Sequence, residues 1–195
     1  MLVSVRHRVV AVGVRAWLCA VRARGWLRAI GRPGLQGLDH VTLPVADLDA
    51  ARRFYCDVLG AEHLMTVDAA ALASRGLPAA RADGQGTYHV SVIVGGATRL
   101  DLFLQSAGPG PDPSGHPHYA FSVPARQMKR WQRRLKDHGI PTDGPLQLGP
   151  PGQASLYFND PFGNHLELVC LGYAERIEQR GPVIERLVWN ASSGP

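Results

Sequence analysis

Cysteine is scarce in this sequence: Cys19, Cys56 and Cys170 are the only three among 195 residues. An odd count without a C-x-x-C spacing argues against a disulfide framework and a zinc knuckle, and fits a reducing cytoplasm. Long hydrophobic runs are missing too. The longest, residues 9–14 and 16–21, are split by Arg15 and fall well short of the roughly 20 residues that span a bilayer. Arginines run through and past them, which a secretory signal does not do. Acidic residues are absent from positions 1–38, where seven arginines stand. That stretch carries +7 and the rest of the chain −2, so the overall +5 makes no general case for nucleic acid.

Residues 1–36 therefore read as a basic, Arg-rich extension, and three readings of it stay open. One is a disordered or loosely helical extension, translated from an upstream start codon. Another is a basic amphipathic helix that touches a membrane or a partner through Trp17, Leu18, Val21, Trp26 and Leu27. The third is an acid-free transit peptide. Gly31, Pro33, Gly34 and Gly37 mark a boundary before the folded part.

The folded part is a repeat. Residues 38–45 (LDHVTLPV) read as a strand. A helix comes next over 48–59, with Asp47 as N-cap and Gly60 as stop. Strands are expected at 62–67, 88–94 and 99–105, the last two joined by a Gly95-Gly96 hairpin turn. The Ala/Gly/Arg-rich residues 68–86 read as a loop. The pattern then restarts: a strand at 118–123, a helix at 125–138 stopped by Gly139, weak strand signal at 146–148, and strands at 154–159 and 165–170 around the turn Asp160-Pro161-Phe162-Gly163. Two such copies imply a pseudo-twofold axis.

Strand parity picks out four side chains, because successive residues point to opposite faces. His40, Asp101, His118 and Glu167 each lie opposite the apolar face of their strand. They form two histidine-to-acid units, His40 with Asp101 and His118 with Glu167. Two histidines and one or two carboxylates meeting at a point would bind a divalent metal: Fe, Mn, Ni, Co or Zn. Met128, Trp131 and Leu135 on one helix, and Phe54, Tyr55, Val58 and Leu59 on the other, would cover the apolar faces. The concave side would then carry the ligands with Thr42, Ser91, Phe103, Ser155 and Tyr157. The run Arg126, Lys129, Arg130, Arg133, Arg134 and Lys136 reads as a solvated helix face. No aromatics interleave there, as nucleic-acid binding would favour.

The segments DHVTLPVADLDAARRFYCDVLG, HYAFSV and LYFNDPFGNHLEL resemble the vicinal oxygen chelate superfamily, which includes glyoxalase I, extradiol dioxygenases, fosfomycin-resistance thiol transferases and bleomycin-binding proteins. The resemblance implies an α+β fold of two βαβββ modules, here 38–106 and 117–170 within a domain at 37–172, forming a cup around one divalent metal. A C-terminal extension, 173–195, would complete the chain. The resemblance also implies a homodimer that exchanges modules in some members, and a small-molecule substrate. His40 and His118 match the family's histidine ligands, and Glu167 matches its last-strand acid. Asp101 falls where glyoxalase I has a glutamate. Its side chain is one methylene shorter, so direct ligation, ligation through water and none at all stay open.

The resemblance implies a metal-dependent enzyme that chelates two neighbouring substrate oxygens, either a glyoxalase-like isomerase or lyase, or an extradiol-type dioxygenase. Glu167 would serve as ligand and base, Tyr157 as hydrogen-bond donor and His89 as general acid or base. Thr42, Ser155, Tyr157 and Arg176 fall at positions that fosfomycin-type enzymes use around a phosphonate. Residues 139–154 contain no Lys or Arg, which counts against a phosphonate. The rival class is a metal-independent, drug-sequestering protein of the bleomycin-resistance kind.

Overall fold

The computed structural model describes residues 2–31, 38–78, 88–105 and 117–188. Among the described residues, eight strands form two four-stranded sheets of identical connectivity. The first sheet holds β1 (His40–Val45), β2 (Glu62–Val67), β3 (His89–Val94) and β4 (Thr98–Leu104) in the order β1-β4-β3-β2. The second holds β5 (Tyr119–Ser122), β6 (Asp143–Leu146), β7 (Gln153–Asn159) and β8 (His165–Leu171) in the order β5-β8-β7-β6. In each sheet the first strand lies parallel to the last. A parallel pair needs a long crossover, and here the rest of each module supplies it. The duplicated βαβββ architecture expected from the sequence is the one observed.

The chain divides into two compact units. One contains β1–β4 with the β7–β8 turn, Asn159–His165. The other contains the rest of the second sheet, the N-terminal helix and the segment after β8 up to Val188.

In the first unit, Asp47 caps α2 (Leu48–Arg53) by accepting from Ala50 N at 2.8 Å. The helix runs on into a π-helical turn, Phe54–Val58, which buries Phe54, Tyr55 and Val58 together. Gly60, at φ +72°, ends it as expected. The hairpin turn carries Gly95 at +61° and Gly96 at +80°, the paired positive φ values of a tight β-hairpin. The expected loop at 68–86 opens instead with a short helix, α3 (Ala69–Ser74), because Asp68 accepts from Ala71 N at 2.8 Å. Residues 79–87 lie outside the described residues.

The β7–β8 turn is locked by a carboxylate. Asp160, 1% exposed, accepts from the backbone N–H groups of Phe162 and Asn164 at 2.9 and 2.8 Å. It also accepts from Tyr55 Oη at 3.0 Å and Asn164 Nδ2 at 2.7 Å. Asn164 Nδ2 donates in turn to Pro44 O at 2.9 Å. Burial pushes the Asp160 carboxyl up to about 6, against the opposing pull of those donors.

In the second unit, a 3₁₀ turn, Ala125–Gln127, leads into α4 (Met128–Asp137). Met128 and Leu135 on that helix are fully buried. Strand β6 begins three residues before the weak signal at 146–148 and ends at Leu146. The N-terminal stretch, whose sequence allows either a loose extension or a helix, forms one long helix, α1 (Leu2–Ala29). His7, Val10, Ala11 and Val14 make its covered stripe, and the described side chains from Arg15 onward are exposed. No helix among the described residues is long and apolar enough to cross a membrane.

Candidate metal-binding site

The two histidine-to-acid units occupy matching registers. Thr42 on β1 pairs with Asp101 on β4, and Ala120 on β5 pairs with Glu167 on β8. In both modules the residue two after the histidine therefore faces the acid across a parallel ladder. Histidine and acid share a face, which brings each pair together. His40 Nε2 stands 3.8 Å from Asp101 Oδ2, and His118 Nε2 stands 2.8 Å from Glu167 Oε2. His118 sits just before β5 rather than inside a strand as its sequence suggested. Among the described residues no three His, Cys, Asp or Glu side chains gather as one ion would require. Each unit presents a pair.

The ligand face is drier than strand alternation implies. Asp101 is 5% and Glu167 4% exposed, while both histidines keep open edges. In the first unit, Ser91 Oγ donates to Asp101 Oδ1 at 2.6 Å, and Arg99 Nε lies 3.4 Å from the same oxygen. The other oxygen is thereby turned toward His40. Ligands about 2.0–2.2 Å from a shared ion sit some 3–4 Å apart, and the His40–Asp101 separation falls in that range. The short aspartate side chain is no obstacle within this pair. His89 lies across the β3–β4 ladder from Phe103, and their rings stack at 4.5 Å. Thr42 is exposed on β1.

Two neighbours of His40 escaped the sequence reading. Its Nδ1 is 2.8 Å from Asp39 Oδ1 and 2.8 Å from Arg99 Nη2, and Arg99 Nη2 donates to Asp39 at 2.9 Å. Hydrogen bonding from His40, then the Arg99 charge, holds the Asp39 carboxyl below its ordinary range. A neutral imidazole that binds metal through Nε2 carries its proton on Nδ1 and donates it to a neighbouring acceptor, here Asp39. Parity could have found Arg99, which is two residues from Asp101 and on its face.

In the second unit, Tyr157 is 2% exposed and presents its ring edge-on to His118, centroids 5.7 Å apart. Burial, then the Glu167 charge, pushes its phenol up to about 12. It stays protonated at neutral pH and suits a hydrogen-bond donor rather than a base. Ser155, fully buried, lies two residues away on β7. His165 Nδ1 and Asn159 Oδ1 form a second buried polar pair at 2.8 Å, in the turn-bearing unit.

The segment after β8 reaches this face, a contact with no local signal in its residues. Glu178 bridges to Leu146 at the β6 edge, donating to Pro145 O at 3.1 Å and accepting from Gln147 N at 2.8 Å. Arg180 grips Asp143 through two hydrogen bonds of 2.7 and 2.5 Å, holding that carboxyl below its usual range. A 3₁₀ turn, Ile184–Leu187, then packs Ile184 and the fully buried Leu187 against Leu146 and Tyr157. Arg176 is exposed on this segment.

Paired βαβββ sheets with a histidine facing an acid in each define a vicinal-oxygen-chelate fold. The chain belongs to the Glyoxalase/Bleomycin resistance protein/Dioxygenase superfamily, whose family model matches residues 37–168. It is 31% identical over 168 residues to a 2-epi-5-epi-valiolone epimerase from Actinomyces sp, covering 78% of this chain and 89% of the epimerase. It is 30% identical over 129 residues to biphenyl-2,3-diol 1,2-dioxygenase 2 from Rhodococcus globerulus, covering 66% of this chain and 60% of that enzyme. Its fold is similar to that of the fosfomycin resistance protein FosX from Listeria monocytogenes, solved with Mn(II) and sulfate (TM-score 0.52, 19% identity, 70% of this chain and 93% of the other). A glyoxalase-family protein from Bacillus anthracis is comparably similar (TM-score 0.51, 22% identity, 72% and 98%).

Proposed function

We propose that this chain is a divalent-metal-dependent enzyme that moves a proton on a small molecule bearing two neighbouring oxygens, as an isomerase or epimerase does. The observation that carries this is the matched register of His40–Asp101 and His118–Glu167. The near full-length relation to an epimerase supports the reaction class. His40, His118 and Glu167 are the proposed ligands, with Asp101 as a fourth, and the donor set suits Fe, Mn, Ni, Co or Zn. A homodimer is part of the proposal, the two ligand pairs serving one ion within a chain or across two copies.

A divalent ion held there supplies positive charge against negative charge developing on the substrate oxygens. The chain's own groups do the rest. Glu167 takes a proton from the carbon beside the chelated oxygens and returns it to that carbon or its neighbour, so atoms and charge balance over the cycle. Tyr157, kept protonated, donates to a substrate oxygen. Leu187 and Leu146 keep water from the buried side of Tyr157. His89, Thr42, Phe103, Ser155 and Arg176 are proposed substrate neighbours, with His89 as the auxiliary acid or base in the first unit.

Proton NMR of α-hydroxyketones in deuterated water tests the reading. Deuterium should enter the carbon beside the carbonyl with the wild-type chain and not with Glu167→Gln. The relation to a ring-cleaving dioxygenase favours a second reading. Catechol-dependent oxygen uptake without deuterium incorporation would select it and reject proton transfer.

A further inference from the structure

In the second unit lies a cavity of about 350 Å³ whose charge the metal reading does not use. Helix α1 helps build it. His7 Nδ1 donates to Tyr173 O at 2.7 Å, and Ala11 is buried beside it. Gly152 lets α1 approach so closely, while Gly172 meets it at ordinary van der Waals distance. At Gly152, φ +83°, a Cβ would stand 2.6 Å from His7 Cβ, and at Gly172, φ +82°, it would meet Ala11 at 3.5 Å. The helix is thus seated on the β6–β7 loop and the end of β8, and its Arg8 is delivered to the cavity wall.

Arg126 and Lys129, from the start of α4, and Glu175, from beyond β8, complete the charged lining. Glu175 is already engaged, its Oε2 2.7 Å from Lys129 Nζ. Arg8 and Arg126 form no ion pair among the described residues. The wall therefore holds three cations against one acid. The backbone adds to this field. Neither Pro124 nor Gln127 supplies a side-chain cap to the helical run, and its first turns carry no acid. Like charges drawn to one hollow repel unless a counter-ion lies between them. A hollow of this volume is within the range of small-molecule pockets and larger than a bare phosphate needs.

We propose that this cavity is an oxyanion site, separate from the candidate metal site, which takes the phosphate group of a small phosphorylated molecule. Arg8 and Arg126 are its charge partners, and Lys129 is shared with Glu175. Calorimetric titration of the full chain with pyrophosphate and with inorganic phosphate at low ionic strength is the test. One saturable site per chain is expected. Arg8→Ala and Arg126→Ala should each weaken it by about tenfold, the loss of one charge-assisted contact, while Glu175→Gln should tighten it by releasing Lys129. Both arginines are exposed, so circular dichroism should be unchanged in either variant. Gly152→Val, which displaces α1 and Arg8 with it but removes no cation from the chain, should cost as much as Arg8→Ala. Vesicles of phosphatidic acid in phosphatidylcholine distinguish a lipid headgroup from a free solute: Arg8- and Arg126-dependent sedimentation stronger than pyrophosphate binding assigns the phosphate to lipid. Absence of saturable binding to either probe overturns the site. So does binding that survives both arginine variants, or binding lost in His118→Ala.

Discussion

Glu167 on β8 and His118, just before the parallel strand β5, face each other at 2.8 Å, the acid buried and the imidazole open at one edge. Such a pair is already at hydrogen-bond distance, so the Nε2–H of His118 donates to Glu167 when no ion lies between them. Replacing Glu167 with Gln keeps the shape and removes both the charge and the proposed base. Turnover should fall by roughly 10²–10⁴-fold, the usual worth of a positioned proton-transfer group. Steady-state kinetics on the substrate found by deuterium exchange is the measurement, with the thermal midpoint as the control for folding.

Ser91 and Asp39 would orient the proposed ligands without being ligands themselves. Ser91 fixes one oxygen of Asp101, and Asp39 is placed to accept the Nδ1 proton of a His40 that binds metal through Nε2. Ser91→Ala and Asp39→Ala should each weaken metal affinity by about 10–100-fold, the typical loss when such outer partners are removed. Competition titration with a chromophoric chelator reads this directly, without any substrate.

Asp160 makes stability depend on pH. Its folded value, about 6, is above the ordinary 3.8. The buried carboxyl therefore favours the fold when protonated, so its contribution is full below about pH 4 and is lost as pH rises through 6. The shift corresponds to about 3 kcal/mol at most. Thermal or denaturant unfolding between pH 4 and 8 should show that decline in the wild-type chain and a flatter profile in Asp160→Asn.

How much of the fold and site was legible in the sequence depends on the range of the interaction. Asp47, Gly60 and the Gly95-Gly96 pair act within a few residues, and each does in the structure what its local chemistry implies. The repeat was legible because duplication leaves two copies of one pattern, and parity alone set all four candidate ligands opposite the apolar faces. Dryness was not legible. Asp101 and Glu167 are buried although both lie opposite the apolar faces of their strands, and the closure over Tyr157 depends on Leu187, 30 residues further along the chain. Asp160 was visible only as a turn residue, since its partner Tyr55 lies 105 residues away. The N-terminal helix was obscured for a similar reason. Its docking stripe is short, and the glycine that admits it, Gly152, belongs to a loop of the second module.

The Arg180–Asp143 clamp holds the segment that covers Tyr157. Arg180 is a third exposed, while Asp143 is buried. Arg180→Ala should therefore lower the urea midpoint, part of the loss coming from leaving buried Asp143 with the Val183 N–H and without its guanidinium partner. Leu187→Ala should cost about 2–5 kcal/mol through the cavity it opens, and should lower the Tyr157 phenol toward 10 by admitting water. Ultraviolet difference titration of tyrosine ionisation tracks that shift, and urea unfolding gives the stability.

Metal stoichiometry in single-histidine variants bears on the central claim most directly. Mass spectrometric metal analysis of the purified full chain should find one divalent ion per chain. Both His40→Ala and His118→Ala, each from a different module, should lose it. Retention of the full metal content in either variant would show that the two pairs do not serve one ion, and would contradict the account.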